Sequence, residues 1–179
     1  MSYVNIDTAN AAQASQEMLK QIHAAFGATP NMFKAVSNSP AALKSMWGSF
    51  GALGAGSLSA RLGEQIAVAV ANRNRCEYCL AAHTALGKSA GASADDMASA
   101  QVGKSSDSKT QAALTFALKI VEERASVAQA DVEAVRKAGF NDGEIVEIVA
   151  HVALNLFTNY VNVAFDVPVD FPKVALKAV

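Results

Sequence analysis

Proline is missing from most of this chain, and its absence limits the folds that the chain can adopt. The four prolines lie at positions 30, 40, 168 and 172, so none interrupts the stretch from Ala41 to Val167. Alanine is abundant there, and strand-like alternation of apolar and polar residues is rare. Because alanine favours helices most and proline least, the sequence predicts an all-α fold. We expect it to form a single domain over residues 1–179.

Short polar residues mark the predicted helix starts. Asp7 or Thr8 is the predicted cap of a first helix that runs to Phe26. The glycines at 51, 54 and 56 predict a flexible link, and the stretch 87–91 is the predicted end of the helix that carries the histidine of the central motif. The remaining predicted caps are side chains with the usual capping chemistry: Ser39, Ser59, Asp107, and the capping boxes Ser93–Asp96 and Asn141–Glu144.

Both cysteines of the chain lie in one short motif. Cys76 and Cys79 are three residues apart, and His83 follows four residues later. On a helix that begins near Cys76, all three side chains share one face. The polar residues 72–75 predict a turn before this helix, and the apolar stretch that starts at Glu64 predicts a helix before the turn. If the two helices are antiparallel, Glu64 and His83 meet at similar heights.

This arrangement favours dithiol redox chemistry. A carboxylate beside an imidazole stabilises the imidazolium, and the imidazole can take the proton of the Cys79 thiol. Cys76 can then close a disulfide with Cys79. We expect neither a cofactor nor a metal, although two Cys, one His and an outer carboxylate leave a zinc site as an alternative. The same two cysteines are also compatible with a structural disulfide or with a pair of inert buried thiols.

The spacing Glu-x11-Cys-x2-Cys-x3-His, carried by Glu64, Cys76, Cys79 and His83, resembles the AhpD-like alkylhydroperoxidases of the carboxymuconolactone decarboxylase superfamily. The upstream segment 30–35 and Ser39-Pro40 are similar to its peroxidase-related branch. The resemblance implies an all-helical AhpD-like domain and an oligomer, a trimer or a hexamer. It also implies that Cys79 reacts with peroxide and Cys76 resolves the product. The dipole of the helix start alone favours Cys76 as the reactive thiol instead.

The resemblance therefore predicts a thiol-dependent alkyl hydroperoxide reductase with a Glu64–His83 proton relay. Its partners are a peroxide substrate and an external dithiol reductant. A protein disulfide oxidoreductase or electron-relay adaptor uses the same cysteines and is the first alternative. A carboxymuconolactone decarboxylase-type lyase needs no dithiol, so the intact cysteine pair argues against it. A non-catalytic oligomeric binding protein is a third candidate.

Composition bears on the partners of this chain. Apolar residues make up 51% and charged residues only 17%, so we expect a subunit interface in a homo-oligomer. A net charge of −1 provides no basic surface for nucleic acid. No apolar stretch is long enough to predict a membrane span, because Glu147 and His151 interrupt the longest ones. The first residues lack the features of a signal peptide, which predicts a cytoplasmic protein.

Three further features of the sequence carry predictions. Trp47 and Phe50 are interpreted as core or interface residues, with a substrate-pocket wall as the alternative. A shift of 83 residues aligns Glu64 with Glu147 and Cys79 with Asn162, which indicates a faint internal repeat of the helix pair. His151, one turn after Glu147, is interpreted as a paired core or interface histidine, with a catalytic role as the alternative. The tail 166–173, bounded by prolines, is expected to lie on a neighbouring subunit.

Overall fold

A computed structural model of the chain describes residues 2–178, and within that range all regular secondary structure is helical. The predicted all-α class is therefore confirmed. The helices are α1 (Gln13–Phe26), α2 (Asn31–Val36), α3 (Pro40–Gly54), α4 (Ala60–Arg73), α5 (Glu77–Ser89), α6 (Ala94–Ala100), α7 (Ser108–Glu122), α8 (Gln129–Lys137) and α9 (Asp142–Ala164). Over the described range, no helix is both long and apolar enough to cross a membrane.

Helix α4 lies at the centre of the bundle. It packs against α5, α6, α7 and α9, and every residue from Gln65 to Asn72 is buried. Four alanines in this helix keep its surface narrow, so neighbouring helices can approach it from several sides. The helix that carries Glu64 is thus fixed on all sides, which positions this carboxylate rigidly.

Most predicted helix starts are confirmed. The side chains of Ser39, Ser59 and Asp107 each accept a backbone N–H from the first turn of their helix. The capping boxes at Ser93 and Asn141 are also present. These side chains satisfy backbone donors that have no partner within the helix, which is why short polar residues predicted these boundaries well.

Two predicted boundaries are wrong. The first helix begins at Gln13 because Asp7 accepts the N–H of Ala9 in a local turn and caps no helix. Helix α5 ends at Ser89, inside the predicted stretch 87–91. Helix α3, in contrast, continues through Gly51 to Gly54, where a flexible link was predicted. Packing against neighbouring helices outweighs the low helix propensity of glycine at these positions.

The second half of the chain does not repeat the helix pair. Where the first half turns at residues 74–76, the aligned stretch 157–159 lies inside the continuous helix α9. The side chains of Leu156 and Phe157 pack against the core there, and no run of polar residues breaks the helix.

The tail after α9 packs on its own chain, and its expected contact with a neighbouring subunit remains a prediction. The carboxylate of Asp170 accepts the backbone N–H of Asn31 at 2.8 Å. Phe171 meets the ring of Tyr78 edge-on, with 5.7 Å between ring centroids. Further along, the N–H of Lys177 donates to the side chain of Asn72 at 2.9 Å. The tail is therefore fixed as a strap across α2, α5 and the end of α4.

Candidate active site

The turn between α4 and α5 places both cysteines at the start of a helix, as predicted. Arg75 adopts a left-handed backbone conformation with φ of 56°, which reverses the chain. Cys76 is the N-cap of α5, and its Sγ accepts the backbone N–H of Cys79 at 3.2 Å. Both thiols are free and buried, with exposed fractions of 1% and 2%.

Glu64 and His83 meet across the two antiparallel helices, as the spacing predicted. Oε2 of Glu64 lies 2.7 Å from Nδ1 of His83. Gly87 allows this approach, since a Cβ at that position would lie 3.3 Å from the Cβ of Glu64. The imidazole is largely buried, with a side-chain exposure of 10%. The carboxylate therefore fixes Nδ1 of the imidazole, and Nε2 is the nitrogen that remains for proton exchange with the thiol.

An amide from α9 completes the surroundings of Cys79. Nδ2 of Asn162 lies 3.1 Å from the Sγ of Cys79 and donates to it. A second buried asparagine, Asn159, accepts a hydrogen bond from Asn74 at 2.9 Å through its Oδ1. The motif analysis missed both as site residues. The only sequence signal was the 83-residue shift, which aligned Asn162 with Cys79 and Asn159 with Cys76 but did not predict contact.

The electrostatics of the site distinguish the two sulfurs. Burial raises the pKa of the Cys79 thiol, but the hydrogen bond from the Cys76 thiol and the charge of His83 outweigh it. The side-chain amides of Asn162 and Asn159 act in the same direction, and together these groups bring the pKa of Cys79 to about 7. The pKa of Cys76 is raised, first by the hydrogen bond that it donates to Cys79 and then by burial.

The histidine is biased towards its charged form. Burial lowers the pKa of His83, but the charge of Glu64 and the hydrogen bond to it prevail, so the pKa lies above its ordinary value. The site therefore favours a thiolate on Cys79, a thiol on Cys76 and an imidazolium at His83. Helix-start geometry favours Cys76, but the larger set of donors lies around Cys79.

Two cavities flank His83. The first, which we call the sulfur-side cavity, has a volume of about 30 Å³ and contains Cys79. Its walls are mainly aromatic and apolar: Phe26, Phe33, Phe50, Tyr78, Leu86 and Phe171. Phe50 thus lines a pocket at the thiol, as the alternative interpretation held. Trp47 packs against Phe26 and Phe33 in the core.

The second cavity, of about 180 Å³, contains Glu64, His83, His151 and Asn155. The interpretation of His151 as paired with Glu147 is wrong, because that carboxylate accepts the N–H groups of Ser57 and Leu58. Nε2 of His151 and Oδ1 of Asn155 are buried without hydrogen-bond partners in the described structure. Burial also lowers the pKa of His151, which favours a neutral imidazole.

A further cleft in the surface lies away from the four predicted site residues. It has a volume of about 520 Å³, lies between Arg61, Lys109 and Glu144, and contains none of the four. In residues 2–178, no group of three or more His, Cys, Asp or Glu side chains is arranged to hold a metal ion.

Comparison with known proteins supports the fold. The carboxymuconolactone decarboxylase family model matches residues 40–123, which contain all four predicted site residues. An uncharacterized peroxidase-related protein from Silicibacter sp. TM1040 is 24% identical, with 97% of this chain and 92% of that chain covered and a TM-score of 0.80. The alkylhydroperoxidase AhpD core of an uncharacterized peroxidase-related protein from Ralstonia eutropha JMP134 is 25% identical, with coverages of 94% and 92% and a TM-score of 0.84.

A third structure, a variant of the debrominase Bmp8 in complex with 2,3,4-tribromopyrrole, is 19% identical, with coverages of 94% and 91% and a TM-score of 0.79. At this identity the likeness shows the fold alone. Among curated proteins, none has significant sequence similarity to the chain.

The chain has the AhpD-like helical fold, and its cysteine motif lies at the junction of the paired helices α4 and α5. Residues 40–123 thus resemble the carboxymuconolactone decarboxylase family, and the structural neighbours of the whole chain include proteins named as peroxidase-related and as a debrominase.

Proposed function

We propose that this protein is a thiol-dependent hydroperoxide reductase that acts in antioxidant defence without a bound cofactor. Its catalytic residues are Cys79, Cys76, His83 and Glu64. The observation that carries the proposal is the surroundings of one sulfur. Cys79 receives the amide of Asn162 at 3.1 Å and lies beside His83, which Glu64 holds at 2.7 Å. These groups stabilise a thiolate, which is the nucleophile that attacks a peroxide.

The oxidative half of the reaction consumes the peroxide. The Cys79 thiolate attacks the terminal oxygen of ROOH, a sulfur–oxygen bond forms and the oxygen–oxygen bond breaks. His83 gives its proton to the departing oxygen, so that ROH leaves and a sulfenic acid remains on Cys79. Because Cys76 lies three residues away at the helix start, its sulfur attacks the sulfenic acid next. The Cys76 proton leaves with the hydroxyl as water, and a disulfide forms.

The reductive half restores both thiols. An external dithiol transfers two electrons to the Cys76–Cys79 disulfide and becomes a disulfide itself. The balanced reaction is ROOH and a dithiol yielding ROH, water and an oxidised dithiol.

The experiment is a stoichiometric titration of the reduced protein with a hydroperoxide. One peroxide should be consumed and two thiols lost for each chain, and dithiothreitol should restore both thiols. Cys79→Ser should abolish peroxide consumption, because the attacking sulfur is gone. Cys76→Ser should consume one peroxide and retain a sulfenic acid that dimedone traps.

The outcomes separate the candidate functions. Exchange of the disulfide with dithiols without peroxide consumption would contradict the proposal and favour a disulfide oxidoreductase or electron relay. Two thiols that persist both in excess peroxide and after treatment with diamide would contradict all dithiol redox functions. A Trp47→Phe protein serves as the control for substitutions in the core near the site.

A further inference from the structure

The two cysteines face different openings in the protein. Cys79 lines the sulfur-side cavity, which does not contain Cys76. Cys76 lines a separate surface cleft of about 370 Å³, which we call the Cys76 cleft and which does not contain Cys79. Tyr78 separates the two openings, because it contributes to both walls.

The walls of the Cys76 cleft combine a charged rim with apolar sides. Arg75 and Glu77, both exposed, lie on either side of the cysteine along the chain. The strap formed by the tail supplies apolar wall residues, with Val163 of α9 beside them: Val167, Val169 and Leu176. The opening is much larger than the sulfur-side cavity, with room for an organic molecule rather than for a peroxide group alone.

The chemistry of exchange also distinguishes the two sulfurs. When a thiolate attacks a disulfide, the sulfur with the lower pKa is the better leaving group. Asn162 donates to Cys79 and His83 lies beside it, so negative charge is stabilised on that sulfur. The pKa of Cys76 is raised, which makes its sulfur the poorer leaving group. Attack on Cys76, with departure of Cys79, is therefore the favoured direction.

We propose that the external dithiol enters through the Cys76 cleft and attacks Cys76, whereas the peroxide reaches Cys79 from the sulfur-side cavity. The route of the peroxide rests on the proposed function. The attack of the dithiol on Cys76 does not, because it applies to a Cys76–Cys79 disulfide formed by any oxidant.

The reductive step balances in atoms and electrons. One thiolate of the dithiol attacks the Sγ of Cys76, a mixed disulfide forms, and Cys79 leaves as a thiolate. The second thiolate of the dithiol attacks the reductant's own sulfur, closes its disulfide and releases Cys76. The dithiol loses two electrons to the protein disulfide, and its two protons reload Cys76 and His83.

A monothiol probe tests which sulfur is attacked. The protein is oxidised with diamide, which needs no peroxidase activity, and treated with 2-mercaptoethanol and then iodoacetamide. Peptide mass spectrometry should locate the mercaptoethanol adduct on Cys76 and the alkyl group on Cys79. An adduct mainly on Cys79 would overturn the proposal.

Two bulky substitutions test the separate entrances. Val169→Trp narrows the Cys76 cleft, and Leu86→Trp narrows the sulfur-side cavity. For the diamide-oxidised protein, Val169→Trp should slow reduction by dithiothreitol by about tenfold to a hundredfold more than Leu86→Trp does, because access and alignment both limit exchange. For peroxide consumption by the reduced protein, the order should reverse. Ala134→Trp, exposed on α8 away from both openings, is the control.

Equal effects of the two substitutions on reduction would contradict separate entrances, whatever the peroxide assay shows. The wild-type protein could instead consume no peroxide while Val169→Trp still slows reduction more than Leu86→Trp does. That outcome would contradict only the proposed function. A reduced Cys-x2-Cys peptide, compared with dithiothreitol, identifies whether a small or a polypeptide-borne dithiol is preferred. Val169→Trp should slow reduction of the protein disulfide by the faster of these two reductants. An unchanged rate with that reductant would overturn the proposal.

Discussion

An amide from α9 is one of the groups that set the charge state of Cys79. Iodoacetamide reacts with the thiolate, so alkylation of Cys79 should accelerate with pH through a midpoint near pH 7. Asn162→Leu removes the donor at 3.1 Å and should move this midpoint upward. A hydrogen bond to a charged group contributes about 1.5–3 kcal/mol, which corresponds to roughly one to two pH units. An unchanged midpoint would show that the amide does not stabilise the thiolate; Asn10→Leu, on the surface, is the control.

The Glu64–His83 pair should matter mainly for rate. His83→Ala removes both the charge beside Cys79 and the proton donor, so peroxide consumption at pH 7 should fall by about 10²–10⁴-fold. Glu64→Gln retains a hydrogen-bonding group at the imidazole and should reduce the rate of peroxide consumption less. Stopped-flow measurement across pH 5 to 9 distinguishes these effects, and His23→Ala, an exposed histidine on α1, is the matched control. A pH–rate profile that neither variant alters would contradict the relay.

At the residue scale, sequence reasoning identified groups close to one another along the chain or one hairpin apart. Cys76, Cys79 and His83 share a helix, and Glu64 is brought to them by a single turn. Asn162 lies 83 residues from Cys79, and its contact depends on how α9 packs on α5. Asparagine is favoured in turns and helix caps, so its residue type alone did not indicate a site here.

At the element scale, Gly87 sets the distance between the two helices of the site. A methyl group there would lie 2.5 Å from the Sδ of buried Met97 and 3.3 Å from the Cβ of Glu64. Gly87→Ala should therefore destabilise the protein by about 1–3 kcal/mol, the usual cost of overpacking, although alanine is the better helix former. Denaturant unfolding measures this, and Gly48→Ala, with no atom within 4 Å of the added Cβ, is the control.

A destabilised Gly87→Ala protein should also lose rate, because Glu64 is pushed from the imidazole. Stability equal to that of the Gly48→Ala control would mean that Met97 moves aside at no cost.

The helix boundaries show the same competition between local helix propensity and tertiary packing. Sequence patterns predicted the caps, where chemistry is local, and missed the glycines inside α3, where tertiary packing decides.

At the scale of the whole molecule, α9 presents an uncovered apolar face. Residues at heptad spacing lie along it, and none is charged: Val146, Val149, Ala153, Leu156, Tyr160 and Val163. Val146, Tyr160 and Val163 are more than half exposed. Heptad seams of this kind pack against helices of the same kind, so a second copy of α9 is the occupant that we expect. The prediction of a homo-oligomer, a trimer or hexamer first, remains open to test.

Val149→Lys combined with Tyr160→Lys should convert the assembly into a monomer of 18.6 kDa, because burying two charges on such a seam is costly. Light scattering at micromolar concentration gives the mass, and Ala134→Lys on α8 is the control. A wild-type protein that is already monomeric would contradict the prediction and leave the exposed apolar face unexplained.

The sulfur of Cys76 also links the redox state to local motion. In the reduced protein it accepts the N–H of Cys79 and so caps α5. Once it is bonded to the sulfur of Cys79 it is a poorer acceptor, and a helix cap is worth about 0.5–2 kcal/mol. The first turn of α5 should then open more often, and its amide hydrogens should exchange with deuterium faster in the oxidised protein. A reductant would meet a looser helix start at the time when the disulfide needs to be reached.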